Sequence, residues 1–288
     1  MKQTIDSDIY YERWRNLPWK IFFSRKVYLQ AQIHNSRKVN DFDKLYRDQA
    51  ILMTSKACHY IAIEEANLIY ARFYGLSMTY ERRFNFIALL EQQNALSIFC
   101  NKVPNKKPIE KFLFSIENSI KEFLWKLAIE PAYKATLPRY SLFRYERILK
   151  NYRFKKTVNA FTNGSIQIIL INWKKLMLTS KYNYLLAKLD LSSNNKILIY
   201  KALKNGLLGL LNEIYLVQTL KHPLASFLLS IILEDLDNAF NPLEKFFSKT
   251  YIVYFIRNSD HLIQIKEEFK RIFLLKSPKD LSDIIVFF

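Results

Sequence analysis

Apolar residues along this chain recur at two spacings. Trp19, Phe23 and Val27 stand four residues apart, and Ile51, Leu52 and Ile61 follow at roughly helical intervals, all in strongly polar text. Spacing of three to four marks a helix with one apolar face, so residues 13–56 predict two amphipathic helices joined near Asn35–Asn40. Asn67–Leu96 mixes aromatic and polar residues and reads as helix. Ile116, Ile120, Phe123, Leu124 and Leu127 form another stripe, expected to stop at Pro131, whose ring removes a backbone donor. Ile166–Ile171 is a continuous apolar run broken only by Gln167 and predicts a buried strand. Tyr184–Leu189 opens a further helix, and Leu224–Leu236 another. Finally, Tyr251–Ile256 and Leu262–Ile265 flank the polar cluster Arg257–His261, a pattern that predicts a β-hairpin holding polar side chains at its corner.

Composition adds the partner class. Half of the 288 residues are hydrophobic and 15% aromatic, enough for a substantial core and against disorder. The 44 Lys and Arg exceed the 26 Asp and Glu by 18, which implies a polyanion or an acidic surface as partner. Residues 13–56 concentrate this excess: Arg13, Arg15, Lys20, Arg25, Lys26, Arg37, Lys38, Lys44, Arg47 and Lys56 face only Asp41, Asp43 and Asp48. Such a surface binds nucleic-acid phosphates by releasing counterions, and Trp14, Trp19 and Tyr28 are candidates to stack on unpaired bases. Lys102, Lys106 and Lys107 form a second basic cluster in a proline-containing loop. The most apolar long region, Gly206–Leu233, contains Glu213, Lys221, His222 and Pro223, so no membrane span is expected. Asp6, Asp8 and Glu12 interrupt the opening residues, so no signal peptide is expected, and Cys58 and Cys100 make no disulfide framework.

Most enzyme chemistries lack their residues. Gly75, Gly164, Gly206 and Gly209 form no phosphate-cradling loop, and His34, His59, His222 and His261 do not stand at zinc-ligand spacing with the cysteines. The pairs Glu64–Glu65 and Glu267–Glu268 lie in charged helical text and are expected to face solvent.

Several segments resemble a known family in its own order. W-K-I-F-F-S-R-K-V-Y-L-Q-A-Q-I-H (Trp19–His34) and K-L-Y-R-D-Q-A-I-L-M-T-S-K-A (Lys44–Ala57) are similar to the amino-terminal segment of group II intron reverse transcriptase/maturases, which grips intron RNA. L-W-K-L-A-I-E-P-A-Y (Leu124–Tyr133) resembles that family's fingers helix, and Ser141–Arg144 its Tyr-Gly-Phe-Arg motif, where Arg144 would face nucleotide and template. The frame F-I-R-N-S-D-H-L-I resembles its Tyr-Ala-Asp-Asp hairpin. The resemblance places the three metal-binding carboxylate positions at Asn172, Asp260 and His261, so a single carboxylate remains. Two-metal nucleotidyl transfer needs hard carboxylate oxygens at these places. The Pro-Gln-Gly-Gly motif reads Leu220–Pro223, L-K-H-P, without its glycines, and Lys266–Phe288 is too short for the family's thumb and maturase domain.

The resemblance therefore implies an α+β fold: a basic helical amino-terminal segment over residues 1–66, a fingers-like region over 67–160, and a degenerate palm with a small antiparallel sheet over 161–288. It implies a catalytically inactive, maturase-like RNA-binding protein that needs no cofactor or metal and assists group II intron splicing or plastid transcript processing. The composition, rich in Lys, Ile, Phe, Tyr and Asn with four Gly, fits an AT-rich organellar genome, and degenerate maturase-like proteins of this kind occur in plastids, including beside ribosomal-protein genes in euglenoid algae. The alternative is a structural or assembly protein of a ribonucleoprotein, with the palm remnant binding other proteins.

Overall fold

The computed structural model describes residues 2–92, 108–137, 166–172, 182–204, 222–240, 244–247, 251–257 and 285–287. Its helices are α1 (Lys2–Arg15), α2 (Trp19–Lys38), α3 (Phe42–Thr54), α4 (Lys56–Tyr74), α5 (Tyr80–Gln92), α6 (Pro108–Thr136), α7 (Tyr182–Lys188), α8 (Ser193–Lys204) and α9 (Pro223–Phe240). Four short strands accompany them: β1 (Ile166–Asn172), β2 (Glu244–Phe247), β3 (Tyr251–Arg257) and β4 (Ile285–Phe287). The expected α+β class is thereby corrected: the described protein is mostly helical, and its strands are a minor component. The reason lies in composition. Runs rich in β-branched residues form β1 and β3, while elsewhere apolar residues recur at three-to-four spacing among Leu, Lys and Glu, which favour helix.

The chain divides into two compact units. The first comprises Met1–Thr136, Leu189–Asn205 and Leu220–Leu224. Here α2 packs against α3, α4 and α6, α4 against α5 and α6, and α1 against α5. Leu29 and Ile33 of α2, Leu45 and Leu52 of α3, Ile61 and Ile63 of α4, and Ile116, Ile120 and Leu124 of α6 are fully buried or nearly so. α4 runs unbroken through Ala66 and Asn67, where a domain boundary was expected; the boundary expected at 160 lies outside the described residues.

Local chemistry sets the helix ends. Asn40 takes a left-handed conformation, φ 58°, and Asp41 donates its N–H back to the Ser36 carbonyl, closing α2. Asp41 then caps α3, its Oδ1 accepting from the Lys44 N–H at 3.0 Å. α4 ends at Gly75, φ 65°, whose N–H donates to Ala71, an arrangement that a Cβ would strain.

Helix α6 corrects the expected stop at Pro131, for it continues to Thr136. A proline there deprives the Leu127 carbonyl, four residues back, of its helical donor. Gln30 of α2 supplies a replacement, its Nε2 donating to the Leu127 oxygen at 3.3 Å. Gln49 of α3, itself buried, donates to the next carbonyl, Ala128, at 3.4 Å and to the Asp190 carbonyl at 3.0 Å. Two glutamines from neighbouring helices thus satisfy the backbone around the proline.

The second unit comprises Leu137–Lys188, Gly206–Thr219 and Ala225–Phe288. Its strands run in the order β2-β3-β1-β4, every pair antiparallel, with Ile169 and Ile171 buried. The Tyr184 hydroxyl and the Lys188 ammonium of α7 both donate to Asp235 of α9, the latter at 2.9 Å. β3 has β1 on one side and β2 on the other, so its hairpin is made with the strand before it. Leu262–Ile265, the partner expected from sequence, lies outside the described residues.

Candidate nucleic-acid interface

Helix α2 carries the basic segment and sets which cations are displayed. Its buried side is Leu29, Ile33 and Ser36, rather than the Trp19–Phe23–Val27 stripe expected from spacing. Phe23 and Val27 are instead 42% and 59% exposed. Around them Lys20, Arg25 and Lys38 are exposed, and Arg13, Arg15, Lys44 and Arg47 of the adjoining helices are exposed as well.

The acids in this region do structural work, which leaves the cations uncompensated. Asp41 caps α3, and Asp48 accepts the Ser36 hydroxyl at 2.7 Å. Asp43 occupies the first turn of α3, where the helix dipole favours a negative charge. None of these three forms an ion pair with a cation of the face among the described residues.

Two cations of the expected set are committed to the fold. Arg37 donates from Nε to Asp190 at 2.5 Å and from its terminus to Asn40, and lies over the Phe42 ring at 5.2 Å. That pair holds the Leu189–Asn205 segment to α2 within the same unit. Lys56 pairs with Glu91 at 2.9 Å, and this hydrogen bond raises its pKa. Arg47 donates to the Asp43 carbonyl at 3.3 Å, and Arg13 lies over the Phe84 ring at 5.2 Å.

The three stacking candidates separate. Trp14 is buried, donating its indole N–H to Glu64 at 2.9 Å and packing on Trp19, Tyr60 and Phe84. Trp19 donates to the Trp14 carbonyl. Tyr28 alone stands out at 54% exposure, with the Arg25 guanidinium 5.5 Å from its ring centre. Phe23, with Lys26 at 5.2 Å, forms a second such pair that spacing had assigned to the core. An apolar residue amid cations gives no sequence sign of its exposure.

Behind this surface, Glu64 is not simply solvent-facing. It accepts from both Trp14 and Arg83, and Arg83 lies buried over Tyr80 at 4.4 Å, its pKa lowered by desolvation against the pull of Glu64. Cys58 and His59 are both buried; burial pushes the thiol up and the imidazole down.

Of the polymerase-like positions, only Asn172 lies among the described residues, at the end of β1. Asn172 stands opposite Tyr251, while Arg257, from which the chain leads on to Asp260, stands opposite Ile166. Those two ends of β1 are six residues apart, about 20 Å. Register, and with it which turn lies beside Asn172, depends on pairing partners distant in sequence. Asp260, His261, Arg144, Lys102, Lys106 and Lys107 lie outside the described residues. Among the described residues no group of three or more His, Cys, Asp or Glu is placed to hold a metal ion, and no helix is long and apolar enough to cross a membrane.

No family model matches the chain, and no curated protein matches it.

Proposed function

We propose that the protein binds RNA through the exposed basic side of α1–α3 and does not polymerise nucleotides. The observation that carries this reading is the local charge imbalance: Arg15, Lys20, Arg25, Lys38 and Lys44 are exposed while the neighbouring aspartates are occupied with capping and hydrogen bonds. The maturase-like sequence of Trp19–His34 and Lys44–Ala57 supports intron or transcript RNA as the ligand, and Asn172 in place of a metal-binding carboxylate supports the absence of polymerase chemistry. On the same resemblance and the organellar composition, the setting is a plastid, with a role in splicing or transcript processing.

Filter binding to a structured intron RNA tests the reading. Affinity should fall steeply with salt, log K against log salt sloping by about −0.7 to −0.9 per phosphate contacted. Changing Lys20, Arg25, Lys38 and Lys44 together to Glu should lower affinity more than 100-fold in low salt. Arg37 is excluded from that set because its loss would disturb the fold. Unaltered affinity in the fourfold variant would remove this surface from the reading, and magnesium-dependent primer extension lost in Asp260→Ala would overturn the claim that no polymer is made.

A further inference from the structure

We propose that the ligand of the α2 surface is single-stranded RNA, its unpaired bases stacked on Tyr28 and Phe23 and one of them turned into the groove between α2 and α6. The inference rests on the RNA-binding reading and names the form of RNA.

Phosphates alone do not account for this surface. Between its cations stand Ile21, Phe23, Val27 and Tyr28, exposed by 66%, 42%, 59% and 54%. A duplex presents phosphates and sugars outward and hides its base faces in the stack, so it offers these side chains little. An unpaired strand offers a flat apolar face at each nucleotide, which aromatic rings hold with little regard to sequence. The Arg25–Tyr28 and Lys26–Phe23 pairs set a ring and a cation side by side, one for the base and one for its phosphate.

The groove continues the same surface. It has a volume of about 500 Å³ and begins at Lys26 and Val27, with Phe123, Leu127 and Pro131 as apolar wall and His34 as hydrogen-bonding edge, while the Gln30 amide that also lines it already donates to the Leu127 carbonyl. Its deeper lysines, Lys126 and Lys134, lie 4.0 and 3.1 Å from Glu130, which offsets part of their charge, and Glu65 adds a second carboxylate to the lining. A groove with an apolar wall and two carboxylates among its lysines suits a neutral nucleobase better than a phosphate or an acidic peptide. Lys26 stands at its mouth and Lys20, Arg25 and Lys38 lie outside it, where the backbone of the strand would run.

Fluorescence anisotropy with an unpaired 12-nucleotide RNA and a fully paired duplex of the same length, in one salt concentration, tests this. The unpaired RNA should bind at least 10-fold more tightly. Tyr28→Ala and Phe23→Ala should each weaken it by about 5- to 100-fold, the range of one stacked base, and leave the duplex unchanged, while Tyr28→Trp should retain binding. Ala31→Trp, which narrows the groove from its exposed rim, should weaken the unpaired strand alone. Circular dichroism melts of all four variants should match the parent. Equal binding of both forms, or unpaired-strand affinity unmoved by Tyr28→Ala and Phe23→Ala, would overturn the inference while leaving RNA binding intact. Full affinity in Ala31→Trp would remove the base from the groove, and binding of neither RNA would remove the underlying reading as well.

Discussion

The inner seam of the first unit and the outer surface of α2 use the same residue types to opposite ends. In the seam polar side chains are spent on neighbours: Arg83 on Glu64, Trp14 on Glu64, Gln30 on Leu127, Arg37 on Asp190. On the outer surface Arg25 and Lys26 lean on aromatic rings and keep their charge beside solvent. A cation in the seam specifies packing, and a cation on the surface is, on the proposed reading, available to a ligand. Substitutions that shift stability should therefore leave RNA affinity alone, and the reverse should hold outside.

The largest effect is expected at Glu64. Its carboxylate serves both the Trp14 indole and the Arg83 guanidinium, whose side chain is 8% exposed against 30% for Glu64. Glu64→Ala strands a buried cation and an indole donor. Removing one partner of a buried ion pair costs roughly 3–5 kcal/mol, and the partial exposure of Glu64 sets the expectation near the lower end, about 3 kcal/mol. Urea denaturation reads it, and a loss below about 1 kcal/mol would show that the seam is not held there.

Next is the glutamine that repairs the proline. Gln30→Leu leaves the Leu127 carbonyl without a donor, at an expected cost of about 1–2 kcal/mol. With Pro131→Ala in place, the new backbone N–H takes that carbonyl, and the cost of Gln30→Leu should fall by more than half. The double-mutant cycle checks the coupling directly. Additive effects would mean that Gln30 acts by packing alone.

These two cases also show what sequence made legible. Helix existence was readable because the apolar spacing of α2, α3 and α6 is local. Which face turned inward was not: Phe23 and Val27 fit a helical stripe as well as Leu29 and Ile33 do, and only the positions of α3, α4 and α6 choose between them. The concentration of cations in residues 13–56 was equally plain, but the pairing of Arg37 with Asp190 spans 153 residues. Pro131 looked like a helix end because its rescue comes from Gln30, on another helix. The expected corner lies, beyond Arg257, outside the described residues, and which turn flanks Asn172 is a question of strand register, a long-range choice that no turn residue determines alone.

A smaller effect should appear with pH at His59. Its Nε2 lies 2.7 Å from the Met53 carbonyl and so carries the hydrogen, while Nδ1 is buried with no partner among the described residues. Burial holds the folded pKa below the usual 6.5, so the unfolded chain takes up the proton first. Stability from this residue is complete above about 6.5 and declines as pH falls through that value, by at most about 1.4 kcal/mol per pH unit. Urea midpoints between pH 7.5 and 5.5 should fall in the parent and flatten in His59→Gln, whose amide keeps a donor for Met53. An equal slope in both would assign the decline to other groups.

The smallest expected change in stability is on the outer surface, and there the comparison is sharpest. Arg25→Ala and Tyr28→Ala each remove half of an exposed ring–cation pair, an interaction worth about 0.5–1 kcal/mol at such sites. Because both residues are exposed, folding free energy should move by no more than that. If Tyr28→Ala cost as much as Gln30→Leu, the ring would belong to the core, and its exposure could no longer be taken as reserved for a ligand. A near-zero cost, set beside a several-fold loss of RNA affinity in the same variant, would separate the two regions by function as well as by burial.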